Sequence, residues 1–201
     1  MPGPLFNQKT IDTILRDEKF HRSHSAAAGY LGAGAVYYAM AYSLKAKVAV
    51  CLGSGSGFVP RLMRQAQVDC GISDESRTIL VDANLPGAGW GAPDYHDGES
   101  FFLQHFDVEL IAKTTRDALS DFVGVEIDYL HIDADHSYEW ARHDLLEYGK
   151  LMSKRSVITM HDARVRSHGA GVWKVLEEVS GNGFEVVNLP IALGVAIVRT
   201  K

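Results

Sequence analysis

Residues 127–140 read IDYLHIDADHSYEW, and residues 156–163 read SVITMHDA. Each opens as a short apolar run and closes on acids, Asp133 and Asp135 after the first and Asp162 after the second. Between them Ala141, Leu145, Tyr148 and Met152 recur at helical spacing and are expected to form one inward stripe. Ser137 stands where a helix would be capped, with Glu139 in the first turn to favour the dipole. Strand, helix and strand in that order imply a right-handed crossover between parallel neighbours. In an open α/β sheet the ends of such strands face the crevice where ligands bind. The acids and the neighbouring His136 are therefore expected in that crevice.

The same alternation extends outward. Toward the N-terminus, residues 47–52 (KVAVCL), 77–83 (RTILVDA) and 108–113 (VELIAK) read as further strands. Residues 58–67 read as a helix with Val59, Leu62, Met63 and Ala66 inward and Pro60 tolerated in its first turn. Residues 10–18 suggest a short helix with Ile11, Ile14 and Leu15 on one face. Toward the C-terminus, Val172, Val175, Leu176 and Val179 mark another helix. Residues 184–188 and 195–199 follow as two strands with no room for a helix between them, so they must pair antiparallel. A mostly parallel α/β sheet with an antiparallel C-terminal pair and helices on both faces follows. No repeat or low-complexity linker divides the 201 residues, which suit a single domain, with residues 1–46 as an N-terminal helical cap segment.

Composition narrows the partners. The formal net charge of -5 argues against nucleic acid, which calls for a basic face. Residues 26–44 lack charge and approach the length of a membrane span, but Ala, Gly and Tyr dominate them, so a buried or cofactor-covering helix is expected rather than a membrane segment. The first residues, MPGP, lack the order of a signal peptide. Cys51 and Cys70 form neither a disulfide framework nor a metal-type spacing, as expected of a reduced, cytoplasmic protein.

Gly53, Gly55 and Gly57 follow the first strand and precede a helix. Backbone without Cβ lets a ligand approach, and a helix N-terminus favours an electronegative group. The dinucleotide fingerprint G-x-G-x-x-G fails here, because Phe58 holds its third glycine position. The plainer reading is a tight strand–helix turn. Asp82 ends the second strand, where an acid can accept hydrogen bonds from ribose hydroxyls or merely cap a turn. Residues 84–106 form a long connection carrying Trp90, Tyr95, His96, Phe101 and Phe102, suited either to a substrate-contacting loop or to packing on the sheet edge.

With these motifs the chain resembles the class I S-adenosylmethionine-dependent methyltransferases. It is most similar to the macrocin-type small-molecule O-methyltransferases and more distantly to the catechol and caffeoyl-CoA enzymes. The likeness runs from Lys47 to the C-terminus and rests most on LHIDADHSYE followed, about a helix later, by VITMHD. It implies a Rossmann-like seven-stranded sheet and O-methylation of a hydroxylated small molecule. It also implies that Gly53, Gly55, Gly57, Asp82 and Asp133 contact S-adenosylmethionine. Asp133 and Asp162 match metal-ligand positions, with Asp135 as a third candidate and Mg2+ as the ion. His136 stands where the catechol-type enzymes carry a catalytic lysine and the macrocin type a histidine, and so is assigned as the base. Related enzymes often associate, so a homo-oligomer is compatible. Two departures stand out: Cys51 replaces an acid that usually precedes the first glycine by two residues, and Ala163 replaces the asparagine that follows the fifth-strand acid in the catechol branch.

The chemistry agrees with these residue types. Magnesium prefers carboxylate and water oxygens, and as a Lewis acid it weakens a hydroxyl proton. Imidazole titrates near neutrality and can accept that proton. Bland roles remain for each: Asp135 as a helix cap, His136 as a loop histidine, and His131 and His161 in strand packing or supporting bonds. Residues 23–38, with His24 and Tyr30, are expected to cover the cofactor. Arg164, Arg166 and His168 could meet an acidic substrate group or simply be solvated. Two rival functions are an NAD(P)-binding oxidoreductase and a non-catalytic nucleotide-binding module. The missing fingerprint glycine and the terminal strand pair speak against the first; Cys51 and Ala163 keep the second open.

Overall fold

The seven apolar runs form seven strands: β1 Val48–Leu52, β2 Arg77–Val81, β3 Glu109–Ile111, β4 Ile127–Ile132, β5 Met152–Met160, β6 Phe184–Leu189 and β7 Val195–Thr200. The computed structural model describes residues 11–12, 23–53, 57–83, 107–167 and 169–201. The expected helix over residues 10–18, Gly55, His168 and the aromatic residues of the 84–106 connection therefore lie outside or almost outside the described residues.

The strands make one sheet in the order β3-β2-β1-β4-β5-β7-β6. Every pair from β3 through β5 is parallel, and β7 runs antiparallel to both β5 and β6. The expected α/β architecture with an antiparallel C-terminal pair is thus the observed one. The strand order reverses between β1 and β4, which places the ligand-binding crevice at the tips of those two strands.

Helices cover both faces. The helices α1 (Gly34–Leu44) and α2 (Phe58–Asp69) pack with β1 into one core that includes Tyr37, Phe58, Leu62 and Tyr129. On the other face, α4 (Tyr138–Gly149) and α5 (Val172–Val179) bury Ala141, Leu145, Val172 and Val175 against Leu130 and Ile158. Each fully buried aliphatic side chain of this kind contributes about 1.5–3 kcal/mol. The stripe expected on α5 is buried at all four positions, as are Val59, Leu62, Met63 and Ala66 of α2.

Four local expectations are corrected. Met152 belongs to the start of β5 rather than to the stripe of α4, because Lys150 caps the helix and the chain turns immediately. The strand β5 begins at Met152 rather than Ser156, through a register shift opposite residues 127–129. The Ser137 side chain makes no capping hydrogen bond; Asp135 Oδ1 accepts from the Ser137 N–H at 2.8 Å. A short helix α3 (Thr115–Ala118), continued as a 3-10 turn over Leu119–Phe122, was not expected. Thr114 caps it by accepting from the Asp117 N–H at 3.2 Å.

Of residues 26–44, only the last eleven are helical, with Tyr37, Tyr38 and Ala41 buried. Tyr38 donates to Asp69 Oδ2 at 2.6 Å, tying α1 to the end of α2. Among the described residues no helix is long and apolar enough to cross a membrane.

Candidate active site

The turn after β1 and the tip of β4 touch. Gly53 sits at φ +69°, and a Cβ there would lie 2.4 Å from Ala134 Cα and 2.6 Å from the Asp133 carbonyl oxygen. Only glycine allows this approach. Gly57, at φ +78°, is the N-cap residue of α2 and opens that helix without a side chain at its mouth. At the next tip, the Asp82 N–H donates to the Ile111 carbonyl at 3.2 Å, placing Asp82 directly beyond β2. Cys51, which stands where an acid was expected, is fully buried and its thiol donates to the Gly53 carbonyl at 3.1 Å. Burial pushes that thiol's pKa well above its usual value, so it stays neutral and serves the turn rather than a charged ligand.

At the tips of β4 and β5 the structure brings Asp133, His136 and Asp162 together. The His136 ring bridges the two acids, with Nε2 at 3.1 Å from Asp133 Oδ1 and Nδ1 at 3.0 Å from Asp162 Oδ2. Asp135 is exposed and is occupied with the Ser137 N–H. Asp162 takes a left-handed φ of +54°, a conformation that costs a non-glycine residue about 1–3 kcal/mol and clusters at functional sites.

Three further histidines close on Asp133. His161 Nδ1 lies 3.2 Å from Asp133 Oδ1 and 3.2 Å from Asp162 Oδ1. His24 Nε2 lies 3.3 Å from Asp133 Oδ2. His131 Nε2 is 3.8 Å from the same oxygen, too far for a hydrogen bond. The sequence placed His131 and His161 in strand packing or supporting bonds and His24 in a cofactor-covering segment. In the fold all three face one carboxyl group. The signal for His131 was its parity with Asp133, which stands two residues on, just past the end of β4, and so shares its face; no such spacing ties His161 to Asp133. No sequence signal ties His24 to that face, because its segment arrives from outside the sheet.

The electrostatics follow from this packing. Burial alone would raise the Asp133 pKa, but the surrounding imidazoles, His161 foremost, hold it well below the usual carboxylate range. Burial also works against a charged His136, but hydrogen bonds to Asp133 and Asp162 outweigh it and lift its pKa to about 10. For His161 the Asp133 charge likewise outweighs burial, and its pKa is raised. His24 goes the other way: burial pushes its pKa down to about 3 despite Asp133, so its ring is neutral. Burial lowers His131 too.

Three atoms of this cluster, Asp162 Oδ1, His131 Nε2 and His161 Nε2, are buried without a hydrogen-bond partner among the described residues, although Asp162 Oδ1 keeps its 3.2 Å ion-pair contact with His161 Nδ1. Buried polar atoms normally find partners, so these orphans fit a site that receives another group. Two acids at the strand tips can hold a divalent cation, and the imidazoles add nitrogen donors that suit softer ions than magnesium. Ala163 and Arg164, which follow Asp162 in the chain, line a cavity of about 400 Å³ with Arg166, Asn188 and Pro190; none of the clustered acids or histidines lines it. Arg166 also lies over the Trp173 ring, 4.0 Å from its centroid, and 3.3 Å from Glu177.

Comparison with known proteins meets this geometry. The pattern of a family described as "Methyltransferase domain" matches residues 50–163. Those residues carry the glycine turn, Asp82, Asp133, His136 and Asp162. A curated relative, the uncharacterized protein y4gI of Sinorhizobium fredii, is 29% identical over 172 residues. The match takes in 85% of this chain but 19% of that protein, so the chain spans about a fifth of its relative's length. Among solved structures, an O-methyltransferase from Bacillus cereus in complex with SAH is similar with a TM-score of 0.68 and 14% identity, covering 98% of this chain and 92% of that one. The O-methyltransferase TomG from Streptomyces achromogenes, solved with SAM, is similar with a TM-score of 0.66 and 12% identity, covering 98% and 91%. SAH-bound PaMTH1 from Podospora anserina has a TM-score of 0.62 and 17% identity, covering 100% and 89%. At such identities these structures speak to the fold.

Proposed function

This chain belongs to the methyltransferase domain family, and from that premise we propose that it transfers a methyl group from S-adenosylmethionine to a hydroxyl of a small molecule. The observation that carries the proposal is the junction of two features at one crevice. A glycine turn that tolerates no Cβ abuts Asp133, and His136 bridges Asp133 and Asp162 beside it. The similarity to O-methyltransferases solved with SAH or SAM supports the choice of cofactor and of oxygen as acceptor.

S-adenosylmethionine would supply an electrophilic methyl group on sulfonium sulfur. Gly53 and Gly57 would leave the backbone open to its close approach, with Gly55 a candidate outside the described residues, and Asp82 would accept hydrogen bonds from the ribose hydroxyls. Transfer would join that methyl to the acceptor oxygen and leave the carbon–sulfur electron pair on sulfur. The hydroxyl proton must leave, and His136 is the group assigned to take it.

Held between two acids, His136 keeps its own proton up to about pH 10. It acts as acceptor from the neutral state, which requires that the negative charge beside it be offset. A divalent cation on Asp133 and Asp162 would supply that positive charge and Lewis-acid polarisation of the hydroxyl. Asp135 was a third candidate for that ion; its engagement with the Ser137 N–H supports assigning it to the start of α4 instead. Magnesium is the ion the family likeness implies, but four imidazoles around Asp133 make a poor match to its preference for oxygen. The cavity beside Ala163 has room for a small acceptor, and Arg164 and Arg166 at its wall would favour one carrying an acidic group.

The test is transfer of an isotopically labelled methyl from S-adenosylmethionine across a panel of catechols, glycosylated natural products and hydroxy acids. The expected product carries the label on oxygen. Recovery of the label on nitrogen or carbon, or oxidation of the same panel with NAD(P), would replace this reading.

A further inference from the structure

We propose that His24, Asp133 and His161 form a binding site for a borderline first-row dication, with Zn2+ and Co2+ as its representative ions, that joins the N-terminal segment to the sheet. The inference shares Asp133 with the proposed transfer site but names a ligand set and an ion class that the methyltransferase reading does not contain.

One ligand atom from each of these three residues lies within 4.8 Å of the other two. The individual contacts are tighter: His24 Nε2 to Asp133 Oδ2 is 3.3 Å, and His161 Nδ1 to Asp133 Oδ1 is 3.2 Å. Ligands bonded at about 2.0–2.2 Å to one ion lie roughly 3–3.5 Å from each other. The two contacts lie on different oxygens of Asp133, so the carboxyl would take an ion between the two imidazoles through both oxygens or after a small rotation that closes the 4.8 Å triad. The His24 and His161 rings meet edge to face with centroids 4.2 Å apart, so both imidazoles converge on the same space.

Of the two ligand imidazoles, His24 has the supporting bond of a metal centre, while the other nitrogen of His161 has no hydrogen-bond partner among the described residues. A ligating imidazole usually uses its other nitrogen to hold a fixed partner. His24 Nδ1 pairs with Tyr37 Oη at 3.1 Å, and when Nδ1–H is the donor, Nε2 presents a lone pair toward Asp133. His131 Nδ1 pairs with Thr159 Oγ1 at 2.8 Å, and Thr159 Oγ1 with Tyr129 Oη at 2.9 Å. That relay turns His131 Nε2 toward Asp133, where it is fully buried and has no hydrogen-bond partner among the described residues. Packing alone gives no reason to aim an orphaned imidazole nitrogen at a carboxyl already in contact with three other rings. As a fourth donor it would have one.

His24 reaches the site from a turn over Ser23–Ser25 in which His24 and Ser25 take left-handed φ values of 49° and 61°. Two adjacent non-glycine residues in that region cost about 1–3 kcal/mol each. A metal bond at His24 offsets that cost and fastens the turn to the tips of β4 and β5. Two imidazoles and a carboxyl leave further coordination positions open, and imidazole nitrogen selects zinc, cobalt, nickel or iron over magnesium.

The experiment uses the full chain stripped with a chelator. Co2+ is titrated and followed by its visible d–d absorption, and Zn2+ and Mg2+ binding are compared by equilibrium dialysis with elemental analysis. We expect one Co2+ or Zn2+ per chain, not displaced by a roughly thousandfold excess of Mg2+. His24→Ala and His161→Ala should each weaken Co2+ binding at least about 10-fold. If His24→Ala does not fold, as judged by circular dichroism, His24→Gln keeps a polar side chain near Tyr37 and serves in its place. Absence of bound Co2+ and Zn2+, ready displacement by Mg2+, or unchanged Co2+ affinity in folded His24 and His161 variants would overturn the proposal. SAH binding, measured separately on the same stripped protein, reports on the methyltransferase reading alone. Retained SAH binding without Co2+ or Zn2+ sinks this inference and leaves that reading intact.

Discussion

His136→Ala lowers kcat for methyl transfer by about 10²–10⁴-fold, the range that a positioned general base contributes, while KM for S-adenosylmethionine stays within a few-fold of wild type. The imidazole bridges Asp133 and Asp162 through its two nitrogens, at 3.1 and 3.0 Å, whereas His161 reaches both acids through Nδ1 alone. No other described residue bridges that pair with two separate nitrogens. Its side chain lies about a third exposed, against 11% for each acid, so it is the member of the trio open to an incoming hydroxyl. The fold around it should survive the change. The His136 carbonyl, which accepts from the Gly171 N–H at 2.7 Å, belongs to the backbone and is untouched. Steady-state kinetics against S-adenosylmethionine separates the two parameters. A variant with wild-type kcat removes His136 as the base, and one that loses only cofactor affinity moves it to cofactor binding.

Gly53→Ala disables cofactor binding and destabilises the chain by more than about 2 kcal/mol, the scale reached when a substitution combines backbone strain with a steric clash. The added methyl would lie 2.4 Å from Ala134 Cα, so the tip of β4 must retreat and take Asp133 with it. Gly181 supplies the matched comparison. Its φ of +81° is as unfavourable for alanine, but a Cβ there meets nothing within 4 Å. Gly181→Ala should therefore cost only the conformational penalty of roughly 1–2 kcal/mol and leave SAH affinity unchanged. Thermal unfolding and SAH calorimetry on both variants decide the matter. If Gly53→Ala is no worse than Gly181→Ala in either measurement, the crevice does not depend on the close approach of β1 and β4.

The fold was legible where burial wrote a period into the chain. Buried parallel strands are continuous apolar runs, and VAVCL and RTILV stand out against polar flanks. The amphipathic α5 shows its four inward residues at helical spacing. Legibility failed where a segment is exposed. The first part of β5 includes Lys154 and Arg155, both exposed, and it joins the sheet through a register shift that leaves no hydrophobic trace. The helix α3 is one turn long and has no room for a period, but Thr114 followed three residues later by Asp117 is a capping signal that marks its start.

The site divides in the same way. Strand tips are predictable from strand ends, so Asp133, Asp162 and the nearby His136 could be named from the chain. His131 could be set beside Asp133 by its parity, but His161 was not legible as a neighbour of the same carboxyl, because that depends on the pairing of β4 with β5 and on where each side chain turns. His24 and Tyr37 come from a segment whose docking no periodicity encodes. The α1 face supplies the clue in retrospect, since Tyr37 is fully buried and points its hydroxyl at His24.

The central claim is that the crevice between β1 and β4 takes an S-adenosyl ligand. Calorimetric titration of SAH and of NADH into the same wild-type protein tests it most directly. The account predicts saturable binding of one SAH per chain and no saturation with NADH over the same concentrations. Saturable NADH binding in preference to SAH, or no heat from SAH with a folded protein, would contradict it.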